Sequence, residues 1–350
     1  MKILVTGNQG YIGSEFGKAL KEHKQDIKLY GMDSGLFGSC LSTTDRVGDS
    51  FYDVQYFKDI REVDEDDLHN IDIVVSLAAV SNDPIGNDFE IATKEINLDA
   101  NLKLAENSHK AGVKRMIVAS SCSLYGFGGE VARSESDSLN PITAYAKSKM
   151  MTEIEMIKKY RHSNFEMFFL RFATACGVSD RLRLDLVLND FVAEAVGNGC
   201  IDVLSDGTPW RPLIDVSEIC KALIWACEHK LQDYTTSSYI CINVGSDEWN
   251  FSVRQLAQIV SECLGSVDVK INTNASPDNR SYKVDFSLYK RLSGAYYPDK
   301  SIESSVAELY DMIIALNSHK VAFRDSSFVR LNHLRSMISK KLITDHLRWS

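Results

Sequence analysis

The chain has 350 residues, 44% hydrophobic and 25% charged, a balance that suits one large or two medium domains with substantial cores. Its formal net charge of −9 argues against nonspecific binding to nucleic acid, while a few local arginines and backbone N–H groups suffice for a phosphate-bearing small ligand. No apolar run is long enough to span a bilayer. MKILVTG goes straight into a strand pattern, so no signal peptide is expected, and the eight scattered cysteines, without a CxxC pair or metal-ligand spacing, are expected to stay reduced in a cytoplasm.

Residues 2–6, KILVT, read as a strand, followed by a tight glycine loop and a helix pattern over 11–24. Residues 27–32 are the next strand and end in Asp33. A Gly-, Ser- and Thr-rich stretch, 35–53, reads as loop, and short strands are predicted at 54–57 and 71–77. A long helical pattern covers 88–111, with Gly112 as its stop. The stretch 114–126, KRMIVASSCSLYG, begins as a β-branched apolar run and ends in the polar cluster Ser120, Ser121, Cys122, Ser123 and Tyr125. A helix is predicted from Pro141 to about residue 162, and a sixth strand over 165–171. Strands alternating with helices define an α/β class with a doubly wound parallel sheet, assigned to residues 1–172.

Beyond residue 172 the rhythm loosens. Helix patterns at 186–196, 216–229 and 253–264 are separated by short strands at 201–204 and 239–243, and 272–280 reads as loop. Residues 173–350 are thus expected to form mainly a smaller mixed α/β substrate lobe, partly interleaved with the first domain. The basic segment 323–350 reads as a solvated amphipathic helix, with capping of the second lobe or a dimer contact as alternatives. The cysteines of the second half fall in or near apolar patterns and read as core residues, and His23, His69 and His109 as exposed helix-end residues.

Gly7, Gly10 and Gly13 lie between a strand and a helix, where glycine permits positive φ and close approach to a pyrophosphate. The helix N-terminus supplies free N–H groups and partial positive charge. Asp33, at the end of the second strand, is placed to accept hydrogen bonds from a ribose diol. No Arg or Lys follows it directly, so NAD is favoured over NADP, whose additional phosphate Asp33 would repel.

The carboxyl end of strand 114–121 is where open α/β sheets bind ligands. Tyr145 and Lys149, four residues apart, share one face of the following helix. A cation beside a phenol lowers its pKa, and such a tyrosine can take a proton from an alcohol as hydride leaves the carbon.

TGNQGYIG, Asp33, Asp59-Ile60, LAAVS, Asn97, SSCSLYG and YAKSK occur in one order along the chain. In these motifs the chain resembles the extended short-chain dehydrogenase/reductase family, in its NAD-dependent nucleotide-sugar epimerase/dehydratase branch, over nearly its whole length. The resemblance implies Tyr145 as catalytic acid or base, Lys149 holding the nicotinamide ribose, and Ser121 bonding the reacting sugar oxygen. It implies a dinucleotide loop of Gly7, Gln9, Gly10, Tyr11, Ile12 and Gly13, with Asp59 and Ile60 at the adenine. Leu77, Ala78 and Ala79 then form the wall beside the pyrophosphate and ribose, and Phe172 lies by the nicotinamide. Ser81, Ser123, Thr174, Asn189, Arg211 and Arg280 are implied for a nucleotide-diphosphate-sugar substrate, Thr174 standing where the family often has Asn. Asn97 is expected to tie the sheet together. No metal is implied. A homodimer in the cytoplasm, serving surface-polysaccharide biosynthesis, is the family expectation.

The resemblance also bears on the reaction. Related dehydratases carry an Asp-Glu pair where this chain has Cys122 and Ser123, which disfavours 4,6-dehydration. C3/C5 epimerases place a cysteine at the position of Ser123. Oxidation at sugar C4 with return of hydride, a C4 epimerisation, therefore leads. A stand-alone C4 dehydrogenase with tightly bound NAD(H) is the alternative, since RFATACGVSDRLRLDLVLNDF and SPDNRSY resemble a subgroup that includes a GDP-heptose 4-dehydrogenase. A 4-ketosugar reductase and a non-catalytic nucleotide-binding scaffold follow.

Overall fold

Seven parallel strands form the main sheet of the computed structural model, which describes residues 1–43, 47–129, 131–275, 280–316 and 323–350. The strands in chain order are β1 (Lys2–Thr6), β2 (Lys28–Asp33), β3 (Val54–Phe57), β4 (Ile73–Ser76), β5 (Arg115–Ser121), β6 (Glu166–Phe172), β7 (Thr174–Cys176), β8 (Cys200–Val203), β9 (Trp210–Asp215), β10 (Tyr239–Val244), β11 (Asn250–Ser252) and β12 (Asp268–Ile271). The helices are α1 (Tyr11–His23), α2 (Asp83–Asp88), α3 (Glu90–Lys94), α4 (Ala100–Lys110), α5 (Ala144–Tyr160), α6 (Val187–Asn198), α7 (Val216–Glu228), α8 (Val253–Cys263), α9 (Ser287–Ser293), α10 (Ile302–Leu316) and α11 (Arg330–Ser339). The main sheet runs β10-β6-β5-β4-β1-β2-β3, and its direction of winding reverses between β1 and β4, where a ligand crevice is expected.

Helices cover both faces at the centre of this sheet, so β1, β4, β5 and β6 are buried along nearly their whole length rather than alternating, whereas β2 and β3 toward one edge are only part-buried. Ile3 and Val5 face one core with Phe16, Ile117 and Trp225, whereas Leu4 faces the other with Val74, Leu104, Met116 and Phe169. A third core, including Leu188, Phe191, Leu213, Trp249, Leu256 and Leu309, holds the second lobe around the short sheets β11-β9-β7 and β12-β8.

Several boundaries differ from expectation for identifiable reasons. The helix expected from Pro141 starts at Ala144, because Thr143 caps it by accepting a hydrogen bond from the Ala146 N–H at 3.2 Å. The long helix over 88–111 contains a π-turn at Glu95–Asp99, and Asn97 within it bonds the Val80 N–H at 2.8 Å and the Val80 carbonyl at 2.9 Å. Trp210–Asp215 is a strand, and Ile302–Leu316 is a helix absent from the predicted elements. Residues 323–350 are not one solvated helix: only Arg330–Ser339 is α-helical, residues 323–329 pack on the second lobe through Phe323 and the Arg324–Asp190 pair, and the segment after the helix folds back over the first sheet. Cys263 is exposed, whereas Cys40, Cys122, Cys176, Cys220 and Cys227 are buried.

Candidate active site

The turn after β1 depends on glycine at two points. Gly7 has φ +74°, and a Cβ there would lie 2.5 Å from the Ala78 nitrogen. A Cβ on Gly13 would lie 2.5 Å from the Asn8 Cα, so this glycine lets α1 close onto its own entry loop. The result is a loop pressed against Leu77–Ala78 with the N-terminus of α1 open toward the crevice.

One cavity of about 1130 Å³ runs along the carboxyl ends of the strands. Gly7, Gly10, Tyr11, Ile12, Gly13, Asp33, Asp59, Ile60, Leu77, Ala78, Ala79 and Phe172 all line it. The Asp33 carboxylate accepts the N–H groups of Gly35 at 2.8 Å and Gln9 at 3.1 Å. Burial still pushes its pKa up, with those two bonds opposing. Gln9 enters the site by that backbone bond, because its side chain turns to Asp49 at 3.2 Å and does not line the cavity. At Asp59 burial works upward, but Arg61, 2.6 Å away, holds the carboxyl below its usual range.

Tyr145, in the first turn of α5, and Lys149, one turn later, line the same cavity with Ser121. The Ser121 hydroxyl is near enough to the Tyr145 phenol to favour its ionised form, and its Oγ accepts the Ser123 N–H at 3.1 Å. The expected lowering of the phenol by Lys149 is not present in the protein alone. Burial pushes the Tyr145 hydroxyl up to about 12, and Ser121 and Arg183 pull against it. Lys149 instead donates to the Ala119 carbonyl at 2.7 Å. Its own burial brings it down to about 8, opposed by the charge of Glu153.

That depression has a consequence for stability. A buried lysine whose folded pKa is about 8 rather than 10.5 penalises the folded state below pH 8 by about 3 kcal/mol, and the penalty fades as pH rises from 8 toward 10.5. Tyr145 acts oppositely, but only from about pH 10 to 12, where the unfolded phenol ionises first. The cofactor-free protein should therefore gain urea resistance between pH 8 and 10 relative to Lys149→Met, and the variant should be the more stable of the two at pH 7. Parallel pH profiles for the two proteins would contradict the buried-ammonium account.

Ser81, Ser123, Thr174, Arg211 and Arg280 also line the cavity. The Ser123 hydroxyl oxygen is buried without a hydrogen-bond partner among the described residues, so it is open to a ligand group. Arg280 pairs with Asp83 at 3.0 Å, and Arg211 donates to the Trp210 carbonyl at 2.9 Å and to that of Arg280. Asp278 and Asn279, next to Arg280 in the expected motif, lie outside the described residues. Asn189 is placed elsewhere. It is fully buried, takes the Gly177 N–H at 3.0 Å and donates to the Arg183 carbonyl at 2.9 Å, so it holds the loop and does not line the cavity.

The charged residues between 181 and 189 that reach the cavity are Arg183 and Asp185, a bidentate pair at 2.9 and 3.1 Å. Arg183 also donates to Ser81 at 3.0 Å, and Asn82 bonds Asp185. Asp83, the partner of Arg280, accepts from Thr143 at 2.6 Å. The Arg-x-Asp spacing just before α6 was the available signal for the pair, and Asn82-Asp83-Pro84 marked only a helix start.

Behind the strand end lies a second polar layer. Arg171 meets Glu153 at 2.7 Å, Glu153 accepts from Ser120, and Arg171 donates to Tyr125 at 3.1 Å. Tyr125 donates to Asn243 at 2.7 Å. Cys122 joins this layer, its thiol against the Arg171 carbonyl at 3.0 Å, and burial pushes it well above its ordinary pKa.

A glycine-loop dinucleotide crevice that opens onto a Ser-Tyr-Lys set is the arrangement of a nucleotide-dependent enzyme that moves hydride and a proton together. Residues 3–244 match the model of the NAD-dependent epimerase/dehydratase family, and the chain belongs to that family; NAD is its cofactor. It is 30% identical to Protein CapI of Staphylococcus aureus, over 64% of this chain and 68% of that one. It is 25% identical to a putative UDP-glucose 4-epimerase of Methanocaldococcus jannaschii, over 87% and 95%. Among solved structures it resembles TunA, an NAD-dependent NDP-hexosamine 5,6-dehydratase, with a TM-score of 0.76, 20% identity and coverage of 90% and 98%. That last likeness is one of fold.

Proposed function

We propose that this enzyme is a nucleotide-diphosphate-sugar epimerase that acts by oxidation at sugar C4. The observation that carries the reading is the chemistry of the β5 end. Ser121 and Tyr145 line the cavity together, while Cys122 is turned into the buried Arg171 layer and Ser123 offers only a hydroxyl. This supports one alcohol-to-ketone step by Ser121, Tyr145 and Lys149, with no carboxylic acid at positions 122 and 123 to expel water. NAD, when bound, accepts the hydride from the sugar carbon. Tyr145 would hold the hydroxyl proton and Ser121 would fix the sugar oxygen, while Lys149 binds the nicotinamide ribose. Arg211, Arg280 and Ser123 would meet the diphosphate and sugar, the arginine donors forming planar forks suited to phosphate. The putative UDP-glucose 4-epimerase among the relatives supports the same reading.

Incubation of the purified protein with UDP-, dTDP-, GDP- and CDP-sugars, with products read by mass spectrometry and NMR, tests it. An isomer of unchanged mass is expected. A product two hydrogens lighter would replace the epimerase with a stand-alone C4 dehydrogenase, which uses the same groups, and loss of water would overturn both.

A further inference from the structure

The last eight residues do not hang from the molecule. They cross the end of the cavity where Asp33, Asp59 and Ile60 lie. The Trp349 indole N–H donates to the Ser34 carbonyl at 2.6 Å, next to Asp33. Arg61, which grips Asp59, reaches over with its other donors to the carbonyls of His346 at 2.7 Å and Leu347 at 3.1 Å. Arg348 meets Glu62 at 3.1 Å, and His346 meets Glu95 at 3.1 Å.

The segment is also tied to itself. Ile343 and Trp349 form an antiparallel bridge, and the Thr344 N–H donates to the Arg348 carbonyl at 2.8 Å. At the tip of this turn Leu347 has φ +54°, a left-handed conformation that leucine adopts only when its surroundings compel it. That backbone sends its side chain inward, where it is 2% exposed, shares a core with Ile60 and lines the cavity. A strained residue whose side chain walls a ligand cavity points to a binding role.

We propose that the segment 343–350 is part of the cofactor site. Leu347 is the outer wall of the adenosine pocket, and the segment is a strap that must lift before the dinucleotide can leave. This rests on the assignment of NAD to the cavity and of Asp33 and Asp59 to its adenosine end. An enzyme that returns or holds hydride on one cofactor benefits from a slow exit, and the strap supplies one without touching the nicotinamide end.

The test uses the full-length protein carrying radiolabelled NAD, chased with unlabelled NAD, and needs no sugar. Leu347→Gly suits the left-handed backbone, so it should fold as the parent does while deleting the wall. Label release is expected to quicken by about tenfold, on the scale of losing one buried leucine contact. Trp349→Phe, which keeps a smaller aromatic ring and drops the N–H, should quicken release by a smaller factor. Affinity for ADP-ribose should fall with Leu347→Gly, and affinity for nicotinamide mononucleotide, which does not reach this end, should be unchanged. Release at the parental rate, or equal weakening of both fragments, overturns the strap. A parent that binds ADP-ribose and NAD but converts no sugar would sink the proposed reaction and leave the strap standing.

Discussion

Replacing Tyr145 by phenylalanine is expected to lower kcat by about 10²- to 10⁴-fold, the range for loss of a positioned acid or base. The substitution removes one oxygen from a ring packed in the first turn of α5, so the helix and its Thr143 cap persist. Ser121 keeps the Ser123 N–H as a partner at 3.1 Å, so no buried hydroxyl is stranded. The lost hydroxyl matters only as the sugar oxygen gains or loses its proton, so kcat and kcat/KM should fall together. Turnover on the best sugar nucleotide and cofactor content after denaturation are the two measurements. Full turnover with NAD still bound would move the proton transfer to another residue.

The second large effect is on stability. Glu153→Ala should cost about 3–5 kcal/mol in urea unfolding, because it strands the Arg171 guanidinium in the layer behind β5. Both side chains are almost wholly enclosed, at 6% and 2% exposure for Arg171 and Glu153. Ser120, Tyr125 and Asn243 are satisfied through the same chain of bonds, so the loss spreads along the strand end. The double replacement Glu153→Leu with Arg171→Met should recover most of the loss, since two apolar side chains of similar volume leave no charge unpaired. Glu153 also opposes the desolvation of Lys149, so the single variant should drop Lys149 further below about 8. If Glu153→Ala unfolds like the parent, the pair is not the buried anchor described here.

The doubly wound sheet was legible because its central strands are mostly apolar runs that lead into informative residues: Gly7 just after β1, Asp33 closing β2, Ser121 closing β5. Glycine spacing and the four-residue step from Tyr145 to Lys149 carry chemistry in one dimension, since each joins residues that are neighbours on one local element. Arg183 with Ser81, Asp185 with Asn82, and Arg280 with Asp83 are contacts between distant segments, and their value appears only when the chain closes. Asn189 misled for the same reason. An amide near a substrate loop can face a phosphate or satisfy its own turn, and the orientation of α6 decided for the turn. The tail was the least legible, because its basic residues suit water as well as they suit Glu62, Glu95 and backbone carbonyls on the first sheet. The phenol's pKa was a different kind of miss: helix spacing put a cation near Tyr145, but the Ala119 carbonyl claimed it.

The order of strands also sets an order of events during synthesis. β6, Glu166–Phe172, is almost wholly buried, and one of its two edges is covered only by β10, Tyr239–Val244. A ribosome must add some seventy residues after β6 before that partner exists. Until then the nascent chain presents an apolar strand with free N–H and carbonyl groups, the kind of edge that captures other chains. Fragments that stop near residue 172 should therefore aggregate more readily than the full-length chain.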